Sequence, residues 1–108
     1  MLDDLSIFLL HVINQIPKCD NQYSIMRFMG KASLLPDMIF GTLHSLVNNE
    51  YLEISKAHRG VEYYRVTFKG KMWLRNNYDL KSTSEYANTI DTTGFFSKIL
   101  LEIENASS

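Results

Sequence analysis

The side chains best suited to chemistry in this 108-residue chain are polar and basic groups rather than a catalytic set. Setting Ile39 at the centre of a buried helical face turns Asp37, Gly41, His44 and Asn48 outward, because successive residues rotate by about 100°. His44 and Asn48 can hydrogen-bond base edges from that face, and Thr42 and Ser45 can hold phosphates. Lys56, His58 and Arg59 follow at the tip of an expected hairpin, Arg27 and Lys31 flank the preceding helix, and Lys69, Lys71 and Arg75 lie on the next one. Together they predict a basic stripe, in which each phosphate contact adds about 0.9 to the salt slope of binding. The segment that would enter a groove, Pro36–Asn49, contains one Asp and no Lys or Arg. The commonest specific contact, a cation to guanine, is therefore absent from it. Met38 and Phe40 beside that face suit a protein contact better than a base contact.

Catalysis is not expected. Asp3 and Asp4 are the only close pair of acids, and they point to different sides of a helix start, where carboxylates favour the dipole. His11 lies in an apolar helix and reads as a partly buried structural histidine. No Gly-rich phosphate loop, nucleophile triad or metal-ligand cluster is present, so no catalytic, cofactor-binding or metal-binding residue is assigned. The lone Cys19 has no internal disulfide partner and fits a reducing cytoplasm.

Net charge is −1, but residues 1–50 sum to −2, residues 51–81 to +4 and residues 82–108 to −3. The middle segment is thus the one anion-facing surface. A hydrophobic content of 45% and a charged content of 21% suit one globular domain, and the length suffices to bury roughly 60–65% of the unfolded surface. The apolar N-terminal segment opens with Asp3 and Asp4 where a targeting signal would be basic, and its longest apolar run, Ile7–Leu10, is far too short to span a membrane. The expectation is a soluble, cytoplasmic protein without membrane contact.

The elements that must position these residues follow from periodicity. Leu2, Leu5, Leu9, Val12, Ile13 and Ile16 predict a helix over Leu2–Ile16, stopped by Pro17. Ile7, Phe8 and Leu10 widen its apolar arc, so it must be covered on two sides, by its own domain and by a second copy or the C-terminal helix. Tyr23–Lys31 forms a short helix with Ile25, Phe28 and Met29 inward. Gly30–Leu35 turns, and Pro36 opens a helix packed through Ile39, Leu43 and Leu46. Tyr51–Lys56 and Val61–Phe68 alternate as strands, with Leu52, Ile54, Tyr64, Val66 and Phe68 on one face and Ala57–Gly60 between them. Thr67 or its neighbour caps a helix reaching Asn76 or Asn77. Residues 79–94 are so polar that they predict a linker or mobile loop. Phe95, Phe96, Ile99, Leu100 and Ile103 stripe a last helix, which must pack on the core or on another subunit.

The passage Ile39-x3-Leu43-x2-Leu46-x4-Tyr51-Leu52, then a hairpin, then Val66-Thr67-x2-Gly70-x2-Trp73-Leu74, resembles small bacterial winged-helix proteins of the MarR and PadR type. Asn49 and Glu50 stand where those families place a glycine at the helix end, and Asn tolerates the left-handed conformation. The resemblance covers Asp3 to about Asn77. It implies an α+β winged helix-turn-helix, a three-helix core plus a two-stranded β-wing, with an additional C-terminal helix. On this division residues 1–78 are the winged domain, 79–94 the linker or loop, and 95–108 the helix that dimerises or packs on the core. The implied function is a small DNA-binding transcriptional regulator that acts as a homodimer on double-stranded DNA, with Arg27, Lys31, Thr42, His44, Ser45, Asn48, Lys56, His58 and Arg59 in the interface. Its alternative is a winged-helix protein-protein interaction module that binds a protein partner through Met38 and Phe40 and never meets DNA.

Overall fold

The computed structural model describes residues 2–107. Among them are six α-helices and a two-stranded antiparallel sheet: α1 (Asp4–Gln15), α2 (Gln22–Phe28), α3 (Pro36–Asn48), β1 (Leu52–His58), β2 (Val61–Val66), α4 (Phe68–Asn77), α5 (Leu80–Ile90) and α6 (Phe95–Ser107). A single 3-10 turn, Met29–Lys31, follows α2.

α1 is the axis of the molecule. Asp3 caps it, its carboxylate accepting from the Ser6 N–H at 2.8 Å, and the helix yields to Ile16 just ahead of Pro17. Every residue from Leu5 to Ile13 except Ile7 is buried, because α3, α4, α5 and β2 all pack against this one helix. The wide apolar arc is therefore covered within a single chain. Phe96 and Leu100 of α6 join the same core, with the Phe96 ring 5.3 Å from Phe8.

The residues that support α3 come from capping and spacing. Asn21 accepts from Ser24 N–H at 3.0 Å to start α2, one residue earlier than apolar content indicates. Pro36 occupies the first turn of α3, where its missing N–H costs nothing, and Ile39, Leu43 and Leu46 seat the helix in the core. α3 ends with Asn49 at φ −94° and Glu50 at φ +66°. The left-handed residue is thus Glu50, not the asparagine beside it. A non-glycine residue there carries backbone strain that a glycine avoids. Replacing Glu50 with Gly should raise stability by about 0.5–1 kcal/mol, seen as a higher urea midpoint at unchanged slope.

The hairpin is tighter than the four-residue loop expected. His58 pairs with Val61, leaving Arg59 (φ +52°) and Gly60 (φ +80°) as a two-residue turn with the backbone of type I′. Leu52 faces Val66 and Ile54 faces Tyr64, then a bulge at Ser55 shifts the register so that Lys56 opposes Tyr63. The strand stops at Val66 because Thr67 caps α4, its hydroxyl accepting from Gly70 N–H at 3.0 Å and donating to the Glu50 carbonyl at 2.6 Å. Phe68 therefore leaves the inward face expected of it and stands 79% exposed.

The expectation of a linker or mobile loop over residues 79–94 is corrected, since Leu80–Ile90 is helical. Asp79 caps it, and Thr83, Ala87 and Ile90 form a buried stripe at spacings of four and three. Its serines, threonines and asparagine are weak helix formers, but α5 lies on α1 and pairs with α6, whose Phe96 meets Phe8, so packing overrides propensity. No helix among the described residues is long and apolar enough to cross a membrane.

Candidate nucleic-acid interface

The outer face of α3 is open to solvent. Asp37, Gly41, His44, Ser45 and Asn48 are exposed and Thr42 is half-buried. Thr42 donates its hydroxyl to the Met38 carbonyl at 2.8 Å, and the Ser45 carbonyl accepts from the Asn49 side-chain amide at 2.8 Å. Local bonds of this kind engage short polar side chains within their own helix. Thr42 retains acceptor capacity only, while His44 and Asn48 remain fully presented.

Charge around that face is divided. On one side, Met38, Gly41, Thr42 and Ser45 share a groove of about 420 Å³ with Asp3, Asp37 and Tyr86. Asp3 and Asp4 also raise the Tyr86 pKa, after burial, so their field reaches this groove. A phosphate brought to Thr42 or Ser45 meets carboxylates at the start of α1. Beyond the other end of α3, the hairpin tip holds Lys56, His58 and Arg59, all exposed. Lys56 lies over the Tyr63 ring at 4.7 Å, which directs its stem while leaving the ammonium in water. Lys69, at the start of α4, donates to the Asn49 carbonyl at 2.8 Å and covers Tyr51, placing a cation beside the C-terminus of α3.

The remaining assigned residues are more dispersed. Arg27 borders a separate cavity with Lys18, Ser24 and Phe28. Lys31 sits 5.2 Å over the Phe95 ring, at the start of α6. Lys71 and Arg75 line a third cavity against α1. The basic groups of residues 51–81 thus form no single stripe: Lys56, His58, Arg59 and Lys69 sit with the hairpin and the end of α3, while Lys71 and Arg75 turn to α1. Glu53 neutralises Arg65 across the hairpin at 2.6 Å, the one ion pair among the described residues.

Two features were missed by the sequence reading. Asn21 bridges Tyr63 in antiparallel fashion, and the Tyr64 N–H donates to the Asp20 carbonyl at 2.7 Å, so the segment before α2 adds a short third strand position to the hairpin. Periodicity over so short a stretch gives no signal for this. Leu35, just ahead of α3, is 69% exposed beside Met38 at 50%, whereas Phe40 packs partly against the core. The exposed apolar pair at this helix is therefore Leu35 and Met38, not Met38 and Phe40.

His11 is buried in α1 and stacks on Tyr78 with ring centroids 3.9 Å apart. Burial pushes its pKa down to about 4, so the ring is neutral at physiological pH. An unfolded chain binds this proton near pH 6.5 and the folded one only near pH 4, so stability present above pH 6.5 is lost as pH falls towards 4. Urea unfolding should show a loss of about 2–3 kcal/mol over that window, and His11→Phe should flatten it. No metal-binding group of three or more His, Cys, Asp or Glu side chains occurs among the described residues.

No protein-family model, curated protein or solved structure matches this chain.

Proposed function

We propose that this chain is a winged helix-turn-helix protein that binds duplex DNA as a small transcriptional regulator in the cytoplasm. The observation that carries the reading is the solvent-exposed polar face of α3, seated by Ile39, Leu43 and Leu46, next to a hairpin whose tip presents Lys56, His58 and Arg59. The order α1, α2, turn, α3, hairpin, α4 and the Asn21–Tyr63 bridge support the winged arrangement. In this reading His44 and Asn48 meet base edges, and Lys56, Arg59 and Lys69 meet phosphates. Asp3 and Asp37 share the groove of Thr42 and Ser45, so neither hydroxyl is assigned a phosphate. Homodimeric occupancy of two half-sites remains part of the proposal as a property of the complex, because folding of α1 does not need a second copy.

Lys56→Ala combined with Arg59→Ala tests it. Both side chains are exposed, so the double variant should keep its fold. Loss of two phosphate contacts should lower the salt slope of duplex binding by about 1.8 and weaken binding on all sequences alike. An unchanged slope would remove the hairpin from the interface.

One observation favours a second reading. Leu35 and Met38 form an exposed apolar pair at the start of α3, with Asp37 between them in sequence, which suits a protein partner rather than phosphates. Leu35→Asp with Met38→Asp should then abolish a protein complex and leave any DNA affinity nearly intact.

A further inference from the structure

The base of the hairpin carries apolar surface that the chain itself leaves uncovered. Thr67 ends the second strand and turns Phe68 outward at the start of α4, 79% exposed, while Ile54 on the inner face of β1 is 42% exposed. Beside them runs a groove of about 520 Å³ whose apolar wall is Val47, Leu52, Ile54 and Phe68. Glu50 and Lys69 line it too, and neither is in an ion pair among the described residues. The strand along it is open: β2 covers one edge of β1, and Asn21 meets β2 on the far side, so the outer edge of β1 has no partner among the described residues. We infer that two copies of the chain join at this face, with Phe68 of each seated in the groove of the other and Glu50 of each paired with Lys69 of the other.

The make-up of the patch selects a second copy as its occupant. A single exposed apolar side chain is ordinary, but here an aromatic ring adjoins an apolar hollow rimmed by charge, which is the composition of an interface. A two-fold axis sets residue i against j and j against i, so a surface holding both a projection and a hollow, and both signs of charge, matches itself. A partner of uniform charge would meet like charge at Glu50 or at Lys69. Lys69 donates one N–H to the Asn49 carbonyl at 2.8 Å, which fixes the ammonium beside the groove and leaves two donors, enough for a carboxylate and a phosphate. The bulge at Ser55 blunts the far half of the strand edge, so contact is confined to the half that bears Leu52 and Ile54. Lys56, His58 and Arg59 do not line the groove, and the hairpin tip stays free. The inference rests on the homodimer of the proposed function but not on DNA, so its failure would leave duplex binding by a monomer standing.

The test is sedimentation equilibrium of the full chain, without DNA, over a range of protein concentrations. A reversible monomer–dimer equilibrium is expected, weakened at least ~10-fold by Phe68→Ser, since a central aromatic anchor carries much of the affinity of an interface. Phe68 is exposed in the single chain, so the variant should keep the circular dichroism of the parent. Glu50→Lys sets like charges against Lys69 of the other copy and should weaken the dimer by ~5-fold or more, while either residue bears the left-handed backbone alike. Adding Lys69→Glu reverses both charges and should return the dimer to within ~2-fold of the parent. A chain that stays monomeric at every concentration would overturn the inference. So would a dimer that Phe68→Ser leaves intact, because the join would then lie elsewhere. Failure of the reversed pair to restore the dimer would overturn the Glu50–Lys69 contact.

Discussion

Replacing Phe8 with alanine is expected to lower the unfolding free energy by about 3–5 kcal/mol, the largest effect of any single substitution considered for this chain. Phe8 is fully buried on α1, and its ring meets Phe28 of α2 at 6.5 Å, Phe96 of α6 at 5.3 Å and Tyr86 of α5 at 6.5 Å. Truncation removes the transfer free energy of a whole ring, plus aromatic pairing, and leaves a hole that four separate helices cannot all collapse to fill. Urea denaturation read by circular dichroism measures the loss. Leu101→Ala is the control, since Leu101 lies on α6 but is 52% exposed, and its truncation should cost under about 1 kcal/mol. Similar losses for the two substitutions would refute the assignment of Phe8 to the centre of the core and of α6 to the same core.

Gly70→Ala is expected to destabilise by about 3 kcal/mol, at the upper end of the range for overpacking. A Cβ on Gly70 would stand 2.4 Å from the Tyr51 carbonyl oxygen and 2.8 Å from a Val66 methyl. The first clash is with backbone, so relief requires moving the end of α3 or the hairpin itself. That same backbone carries the Thr67 hydrogen bond to the Glu50 carbonyl. Gly41→Ala provides the opposite sign. Its Cβ would meet open space within α3, so helix propensity alone should stabilise by about 0.5–1 kcal/mol. Calorimetry of the two variants side by side separates close packing from propensity, and a stabilising Gly70→Ala would contradict the α4–hairpin contact.

What could be read from residues alone divides along physical lines. α1, α3 and the hairpin were legible because large apolar residues recur at the period of the element, as Ile39, Leu43 and Leu46 do. The Thr67 cap was legible because capping is local chemistry. α5 was not, since its buried positions are filled by Thr83, Ala87 and Ile90, too small and too polar to raise an apolar signal until α6 covers them. The cover over α1 was not legible for a related reason: α3, α4, α5 and β2 of the same chain bury it. Apolarity around a helix shows that it is covered on all sides, but not by which chain. Of the candidate site, the outward face of α3 followed from helical rotation and stands exposed as expected. The surroundings of that face depend on which distant residues fold beside it. Asp3 against Thr42 and Ser45, and Lys31 over Phe95, arise from tertiary packing that no local pattern encodes. The left-handed residue was placed one position early, because residue preference for that conformation is weaker than the geometry that ends α3.

The central claim is that the α3 face and hairpin tip bind duplex DNA, and fluorescence anisotropy of a labelled mixed-sequence duplex at two salt concentrations tests it most directly, with light scattering of the same sample giving the stoichiometry. Binding through this face is expected to saturate and to weaken steeply as salt rises, through release of counterions by Lys56, Arg59 and Lys69. Absence of binding at low salt, from protein shown to be folded, would contradict it and leave the exposed Leu35–Met38 surface as the functional face.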